Sequence, residues 1–225
     1  MKNKELIPYV VLGLGSAVLV GSIAFFFIEP LKKALRKRAS SGGKFLFVGD
    51  SNFETTLSIA DQLRKAYPQA IVNKVAKGSQ GTGWMLDNFK AELAKGEKYD
   101  AIVFLGGSND LWRTDQNEVY ANLDAMYRMA KQNGAMVVAI SPPNKNFLWG
   151  ETRFCPESQS NCKYLPDNLK RLDKLVEYIR TNPNKDIFIN YHKITDRKDY
   201  FASDMQHGNR YAQQALFEEF KQKVL

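Results

Sequence analysis

The sequence predicts a three-layer α/β/α sandwich on a five-stranded parallel sheet, preceded by one transmembrane helix. Five apolar runs of strand length, rich in Val, Ile and Phe, predict buried parallel strands; they cover residues 44–48, 70–75, 100–106, 135–140 and 186–190. Amphipathic stretches alternate with them, at about 54–66, 84–95, 116–133, 167–181 and 209–223. This alternation implies right-handed crossovers and a ligand site at the carboxyl ends of the strands.

The transmembrane helix is predicted over residues 6–28, a run of 23 residues without a charged side chain. At about 1.5 Å rise per residue this run spans a hydrocarbon core of about 30 Å. A cleaved signal peptide is the alternative, but the run is longer than a usual signal core, and no small-x-small cleavage site precedes the basic segment LKKALRKR. We therefore divide the chain into residues 1–43, an anchor with a basic and flexible juncture, and residues 44–225, a single domain.

The positive charge is concentrated next to this anchor. The formal net charge is +8, and residues 1–38 hold seven Lys or Arg against two Glu, which leaves only +3 for the other 187 residues. That remainder is too small and too scattered to indicate a phosphate-tracking groove. We expect the lipid bilayer as a partner, through residues 6–28, and no nucleic acid.

Two features point in opposite directions on topology. Five cations follow the apolar run and two lysines precede it, which by the positive-inside rule would keep the domain in the cytoplasm. The two cysteines, Cys155 and Cys162, flank a short polar loop and favour a disulfide in an oxidising compartment, although two free thiols are an alternative. Two thiols without a nearby His do not predict a metal site. From the cysteine pair, and from the substrate indicated below, we predict a single-pass membrane protein with an extracytoplasmic domain.

A serine follows the first predicted strand, where the chain turns into a predicted helix, in Gly49-Asp50-Ser51-Asn52. Such a turn exposes the Ser51 hydroxyl to a substrate and places the Ser51 N–H where it can stabilise an oxyanion. Serine is also a common helix N-cap, so this segment alone leaves a purely structural role open.

A second polar turn follows the third predicted strand, in Gly106-Gly107-Ser108-Asn109-Asp110. The side-chain amide of Asn109 can donate a hydrogen bond to the same oxyanion, and the glycines let a substrate approach the backbone. The structural alternative is a glycine-rich turn with Asn in a left-handed conformation.

A third polar segment, residues 203–209, follows the last predicted strand. Asp204 and His207 are three residues apart on a tight turn, so the carboxylate can fix the imidazole tautomer and leave the other nitrogen free to deprotonate a serine. The chain has only two histidines. The other one, His192, has no acidic residue three positions before it and is predicted to be structural.

The three segments together, in this order and each at its own strand end, resemble the SGNH hydrolase family, also called GDSL esterases and lipases. Residues 49–51 match its first block, residues 107–110 its GxND block and residues 204–207 its DxxH block. The resemblance covers most of residues 44–223 and implies the flavodoxin-like SGNH hydrolase fold. It also implies roles for four residues: nucleophile for Ser51, oxyanion donor for Asn109, general base and then acid for His207, and orienting carboxylate for Asp204.

The family's remaining block is a glycine after the second strand whose N–H completes the oxyanion hole. Residues 75–84 offer three glycines, of which Gly78 lies nearest the strand end and is preferred, with Gly81 second. A phosphate-binding loop is the rival interpretation of GSQGTG, but the segment lacks the spacing of a dinucleotide fingerprint and the Lys of a P-loop.

The sequence departs from the family in two places. Gly208 stands where the family usually has proline, which predicts a looser turn at the base. Phe53 and Glu54 follow the nucleophile where small residues are usual, which leaves the pocket shape there open. Neither departure removes a catalytic atom.

The resemblance implies a serine ester hydrolase or acyl transferase that works through an acyl-enzyme at Ser51, with neither a metal nor an organic cofactor. The membrane tether and three tryptophans near the predicted site, Trp84, Trp112 and Trp149, favour an acylated cell-envelope glycan as substrate, with a lipid second. Large aromatics at strand ends are also commonly half-buried core. A non-catalytic glycan-binding or scaffold protein, and a flavodoxin-like nucleotide binder, are the alternatives from other classes.

Overall fold

The structure is a computed structural model that describes residues 29, 30, 32–144, 165–202 and 207–225. The predicted transmembrane segment 6–28 lies outside these residues, as do Trp149, Cys155, Cys162 and Asp204. Within the described ranges, no helix combines the length and the apolar character that crossing a membrane requires.

The central sheet has five parallel strands in the order β2-β1-β3-β4-β5, which confirms the predicted α/β fold. The strands are β1 Lys44–Gly49, β2 Ile71–Ala76, β3 Ala101–Leu105, β4 Met136–Ile140 and β5 Ile187–Ile189. Gly49 at the end of β1 is in register with Ala76 on one side and Leu105 on the other. The loops after these three strands therefore leave the sheet at one level, at the point where the strand order reverses.

Helices cover both faces of this sheet. They are α1 (32–40), α2 (Ser51–Glu54), α3 (Ile59–Ala66), α4 (Thr82–Leu93), α5 (Gln116–Asn133), α6 (Leu165–Thr181), α7 (Tyr191–Ile194) and α8 (Arg210–Val224). One of the predicted helices, 54–66, is instead two. α2 ends at Glu54, because Thr55 has an extended ψ of 147°, and α3 starts after Ser58, whose hydroxyl donates a hydrogen bond to Asp61.

Two buried clusters make the layers. Along β1, Phe45 and Phe47 face one cluster while Leu46 and Val48 face the other, as the period of two in a strand requires. The first cluster takes its helical side chains from α1, α2, α3, α7 and α8, and the second from α4, α5 and α6. Helices therefore cover both faces of the sheet. The loops at the carboxyl ends of the strands are where a ligand site is expected.

Part of the predicted juncture packs against the domain. The chain is helical through residue 40, and Leu35 and Ala39 are buried in the first cluster. These two residues are four apart and so share one helix face. An ion pair of 3.3 Å between Arg38 and Asp100 also joins α1 to the domain.

Candidate active site

The turn after β1 is built around a buried carboxylate. Asp50 is fully buried, and its Oδ1 accepts hydrogen bonds of 2.9 Å from both the backbone N–H and the side-chain amide of Asn52. Ser108 Oγ donates to the other oxygen over 3.3 Å. Asp50, not Ser51, is therefore the N-cap of α2. Asp50 therefore fills the N-cap role that was the structural alternative for Ser51. The Ser51 hydroxyl is left for other contacts.

The Ser51 hydroxyl meets the imidazole of His207. His207 Nε2 lies 2.9 Å from Ser51 Oγ, across 156 positions of sequence. Both residues are half-buried. A hydrogen bond of this length between a hydroxyl and a ring nitrogen is the geometry that lets an imidazole take the proton of a nucleophile.

Backbone pairing holds the segment that carries His207. Ala202 N–H donates to His207 O over 2.8 Å, and Asn209 N–H donates to Tyr200 O over 2.8 Å, on either side of a bridge between Phe201 and Gly208. Asn209 then caps α8, because its side-chain oxygen accepts from the N–H groups of residues 211 and 212. This capping role of Asn209 was not predicted, although an Asn directly before a predicted helix is an N-cap signal.

Gly208, the residue after His207, fits a tight space. A side-chain carbon at this position would lie 2.0 Å from Tyr191 Oη and 3.0 Å from Ala212 Cβ. Tyr191 is fully buried, and its hydroxyl has no hydrogen-bond partner in the part of the chain that the structure describes. The chain therefore has glycine at 208, where proline is usual, and the buried Tyr191 ring occupies the space next to it.

The loop after β2 brings Gly78 close to Ser51. A side-chain carbon at 78 would lie 3.7 Å from Ser51 Cβ, and the Gly78 N–H donates a 2.7 Å hydrogen bond to Glu54 Oε2. Gly81, the second candidate, lies elsewhere. A side-chain carbon there would be 2.4 Å from Asp110 Oδ1, so the absence of a side chain at 81 makes room for that carboxylate.

Asp110 holds this loop from the GxND turn. Its carboxylate accepts from the Thr82 N–H over 3.0 and 3.2 Å and from the Thr82 hydroxyl over 3.3 Å, at the N-terminus of α4. Burial raises the pKa of Asp110, and the hydrogen bonds from Thr82 and Thr114 partly offset that rise. Next to it, Asn109 Nδ2 donates to Gln80 O over 3.0 Å. The turn therefore fixes the loop that carries Gly78.

A cavity of about 280 Å³ opens beside the Ser51–His207 pair. Its wall includes Glu54, Thr55 and Gln213 as well as the pair itself. Within the described ranges, no group of three or more His, Cys, Asp and Glu residues is arranged to hold a metal ion.

Two of the three predicted substrate-binding tryptophans lie among the described residues. Trp84 is half-buried against the second core cluster, and Trp112 is 39% exposed, with the Arg113 guanidinium 5.6 Å from its ring centroid. Their roles in substrate binding stay predictions. The predicted substrate contact of Trp149, the orienting role of Asp204 and the disulfide between Cys155 and Cys162 also stay predictions, because these residues lie outside the described ones. His192 lies on α7, where burial lowers its pKa and its backbone N–H donates to Ser141 Oγ.

Comparison with solved structures shows the same fold in several other proteins. TesA is 18% identical with a TM-score of 0.60, over 80% of this chain and 97% of its own. A lipolytic protein of the G-D-S-L family from Veillonella parvula is 12% identical with a TM-score of 0.62, over 80% and 96%. A catalytic mutant of an acetylxylan esterase from Geobacillus stearothermophilus is 14% identical with a TM-score of 0.59, over 82% and 95%.

The sequence comparison gives the family. No curated protein matches the chain. The sequence model of the GDSL-like Lipase/Acylhydrolase family matches residues 47–215, well over half of the chain. That range contains the turn after β1, the GxND turn and the segment with His207. The chain therefore belongs to the GDSL-like Lipase/Acylhydrolase family and is an SGNH-type esterase.

Proposed function

We propose that this chain is a membrane-anchored serine esterase, or acyl transferase, with Ser51 as nucleophile and His207 as its base. The observation that carries the proposal is the 2.9 Å contact between Ser51 Oγ and His207 Nε2. Asp204 is proposed to orient the imidazole through its other nitrogen, as its place three residues before His207 predicts.

The proposed reaction has two halves. Ser51 Oγ attacks the ester carbonyl while its proton passes to His207 Nε2, and the bond to the alcohol breaks as His207 returns that proton to the leaving oxygen. Water, or a second hydroxyl in a transfer reaction, then attacks the acyl-enzyme. His207 again takes the proton, and the acid or new ester leaves with Ser51 restored.

The negative charge that develops on the carbonyl oxygen needs donors held in place in advance. We assign the backbone N–H groups of Ser51 and Gly78 and the side-chain amide of Asn109 to this role. The nearness of Gly78 to Ser51, and the Asn109 hydrogen bond into the same loop, support the assignment. Losing one such donor costs about 10²- to 10³-fold in kcat in comparable sites.

The substrate that we propose is an acyl or acetyl ester on a cell-envelope glycan, with a lipid ester as the second choice. The name of one structural relative, an acetylxylan esterase, supports the glycan class. The apolar run at 6–28 supports a tether at a membrane, where such glycans are assembled or displayed. No nucleic acid or cofactor enters the proposal.

We also propose a single-pass topology with the domain outside the cytoplasm. Labelling of Cys155 and Cys162 in intact cells with an impermeant thiol reagent tests it. Labelling that appears only after reduction by an impermeant reductant supports the disulfide and the exported domain. Labelling that requires lysis places the domain in the cytoplasm.

The catalytic proposal is tested with the full chain in detergent and a short-chain nitrophenyl ester. Ser51→Ala should lower kcat by at least about 10³-fold, since removal of a triad member leaves only the contribution of binding and the oxyanion hole. Ser41→Ala, an exposed serine on the juncture, is the matched control and should keep full activity. Equal activity in Ser51→Ala and the control would refute Ser51 as nucleophile and would leave a glycan-binding role.

A further inference from the structure

A carboxylate binds one of the hydrogen-bond donors that the proposed reaction needs. Glu54 Oε2 accepts the Gly78 N–H over 2.7 Å, and the same glycine lies beside the nucleophile. Glu54 also lines the cavity that Ser51 and His207 share. The backbone N–H that the oxyanion hole would take from the β2–α4 loop is therefore already bound by a negatively charged oxygen.

We infer that Glu54 occupies the oxyanion position of the resting site, and that an ester must displace it before Ser51 reacts. The inference rests on the proposed function, because it needs Gly78 to be an oxyanion donor. It makes Glu54 an internal competitor of every ester for the Gly78 N–H. A substrate binds productively only when its carbonyl outcompetes this carboxylate for the Gly78 N–H.

The local structure allows the displacement. Glu54 is the last residue of α2, and the backbone turns to an extended conformation at Thr55. The Glu54 side chain is exposed, and it forms no ion pair with any residue that the structure describes. When the Glu54 side chain leaves the oxyanion position, it therefore breaks one hydrogen bond, to the Gly78 N–H, and its carboxylate returns to water. The buried carboxylates Asp50 and Asp110 each accept several hydrogen bonds and have no such freedom.

Electrostatics require the displacement to be complete. A carboxylate that remained beside Gly78 would repel the oxyanion and would destabilise the charge that the hole exists to stabilise. The acid product of hydrolysis carries the same charge as Glu54 and competes with it for the same N–H. Glu54 thus weakens the binding of both the ester and the acid product, and its return to Gly78 favours product release.

Two substitutions test the inference in the full chain in detergent. Glu54→Gln keeps the shape of the side chain but not the charge, and Glu54→Ala removes the acceptor. Both should raise kcat/KM for nitrophenyl acetate by about threefold to tenfold, mainly through KM, because a charged acceptor binds an N–H more strongly than a neutral one. The inhibition constant of acetate should fall by a similar factor. Glu118→Gln, an exposed glutamate on α5, is the matched control and should change neither value.

The amide resonance of Gly78 gives a readout that does not depend on turnover. In wild type its proton should resonate downfield, as expected for an N–H bound to a carboxylate, and it should move upfield in both Glu54 variants. An unchanged Gly78 resonance, or a fall of kcat/KM in both variants, would overturn the inference, since a fall means that Glu54 only holds the loop. Failure of the proposed function looks different. Ser51→Ala would then keep its activity, while the Gly78 resonance would still respond to Glu54→Gln.

Discussion

Different kinds of interaction hold the two sides of the Ser51–His207 contact, which we call the nucleophile side and the base side after the proposed roles of Ser51 and His207. On the nucleophile side, two buried carboxylates, Asp50 and Asp110, bind backbone and side-chain donors at the starts of α2 and α4. On the base side, backbone pairing and the fit of Gly208 against the Tyr191 ring hold the chain. The first side relies on buried carboxylates that accept hydrogen bonds, and the second relies on backbone pairing and on the space beside the Tyr191 ring. Substitutions that change one property should therefore damage one side and spare the other.

The largest expected effect on stability comes from adding volume on the base side. Gly208→Ala places a carbon 2.0 Å from Tyr191 Oη and should lower the free energy of unfolding by about 1–3 kcal/mol. Tyr191→Phe removes the clashing oxygen and should restore part of that loss, although the ring carbon at 3.3 Å still crowds the site. Denaturant unfolding of the two single variants and the double variant measures the coupling.

Gly83→Ala is the matched control for this test. Position 83 lies inside α4 with its nearest neighbouring atom 4.0 Å away, so alanine there should stabilise the helix by up to about 1 kcal/mol. If Gly208→Ala is tolerated as well as Gly83→Ala, the volume argument for the base side is wrong.

A smaller effect is expected on the nucleophile side, and it should depend on pH. Burial raises the pKa of Asp110 above its ordinary value of 3.8, so the folded state binds more protons than the unfolded state between 3.8 and the folded pKa. The stabilising contribution of protonated Asp110 is complete below 3.8 and is lost as the pH rises through the folded pKa. Each unit of elevation is worth about 1.4 kcal/mol.

Asp110→Asn removes this titration. The difference in free energy of unfolding, wild type minus variant, should fall as the pH rises from about 3.8 through the folded pKa, and unfolding curves across that range measure it. Asp87→Asn, an exposed aspartate on α4, is the matched control. A difference for Asp110→Asn that stays level or rises over this window would contradict the assigned direction of the pKa shift.

The sheet was predictable because each strand is short, apolar and bounded by polar residues. All five strands lie within two residues of their predicted bounds. The break at Thr55 was not predicted, because the 54–66 stretch keeps a helical apolar pattern although the backbone turns. The packing of α1 was also missed, since the basic residues around Leu35 and Ala39 dominate that segment and only tertiary contacts reveal their common face.

The candidate site was predictable to the level of single residues where polar groups stand at strand ends. Ser51 and His207 meet as expected, and a side-chain carbon at Gly78 would lie 3.7 Å from Ser51 Cβ, whereas one at Gly81 would lie against Asp110. The supporting contacts were not predictable in this way. The bond from Asp110 to Thr82 joins positions 28 apart, and the bond from Gly78 to Glu54 joins positions 24 apart. Such pairings depend on how two loops pack together, which no local pattern encodes.

The measurement that tests the central claim most directly is phosphonylation by a fluorophosphonate, followed by intact mass and peptide mapping. We predict a single adduct on Ser51 in wild type, formed at least about 10²-fold more slowly in His207→Gln, because the imidazole at 2.9 Å activates the hydroxyl. An adduct on another residue, or equal rates in wild type and His207→Gln, would contradict the account.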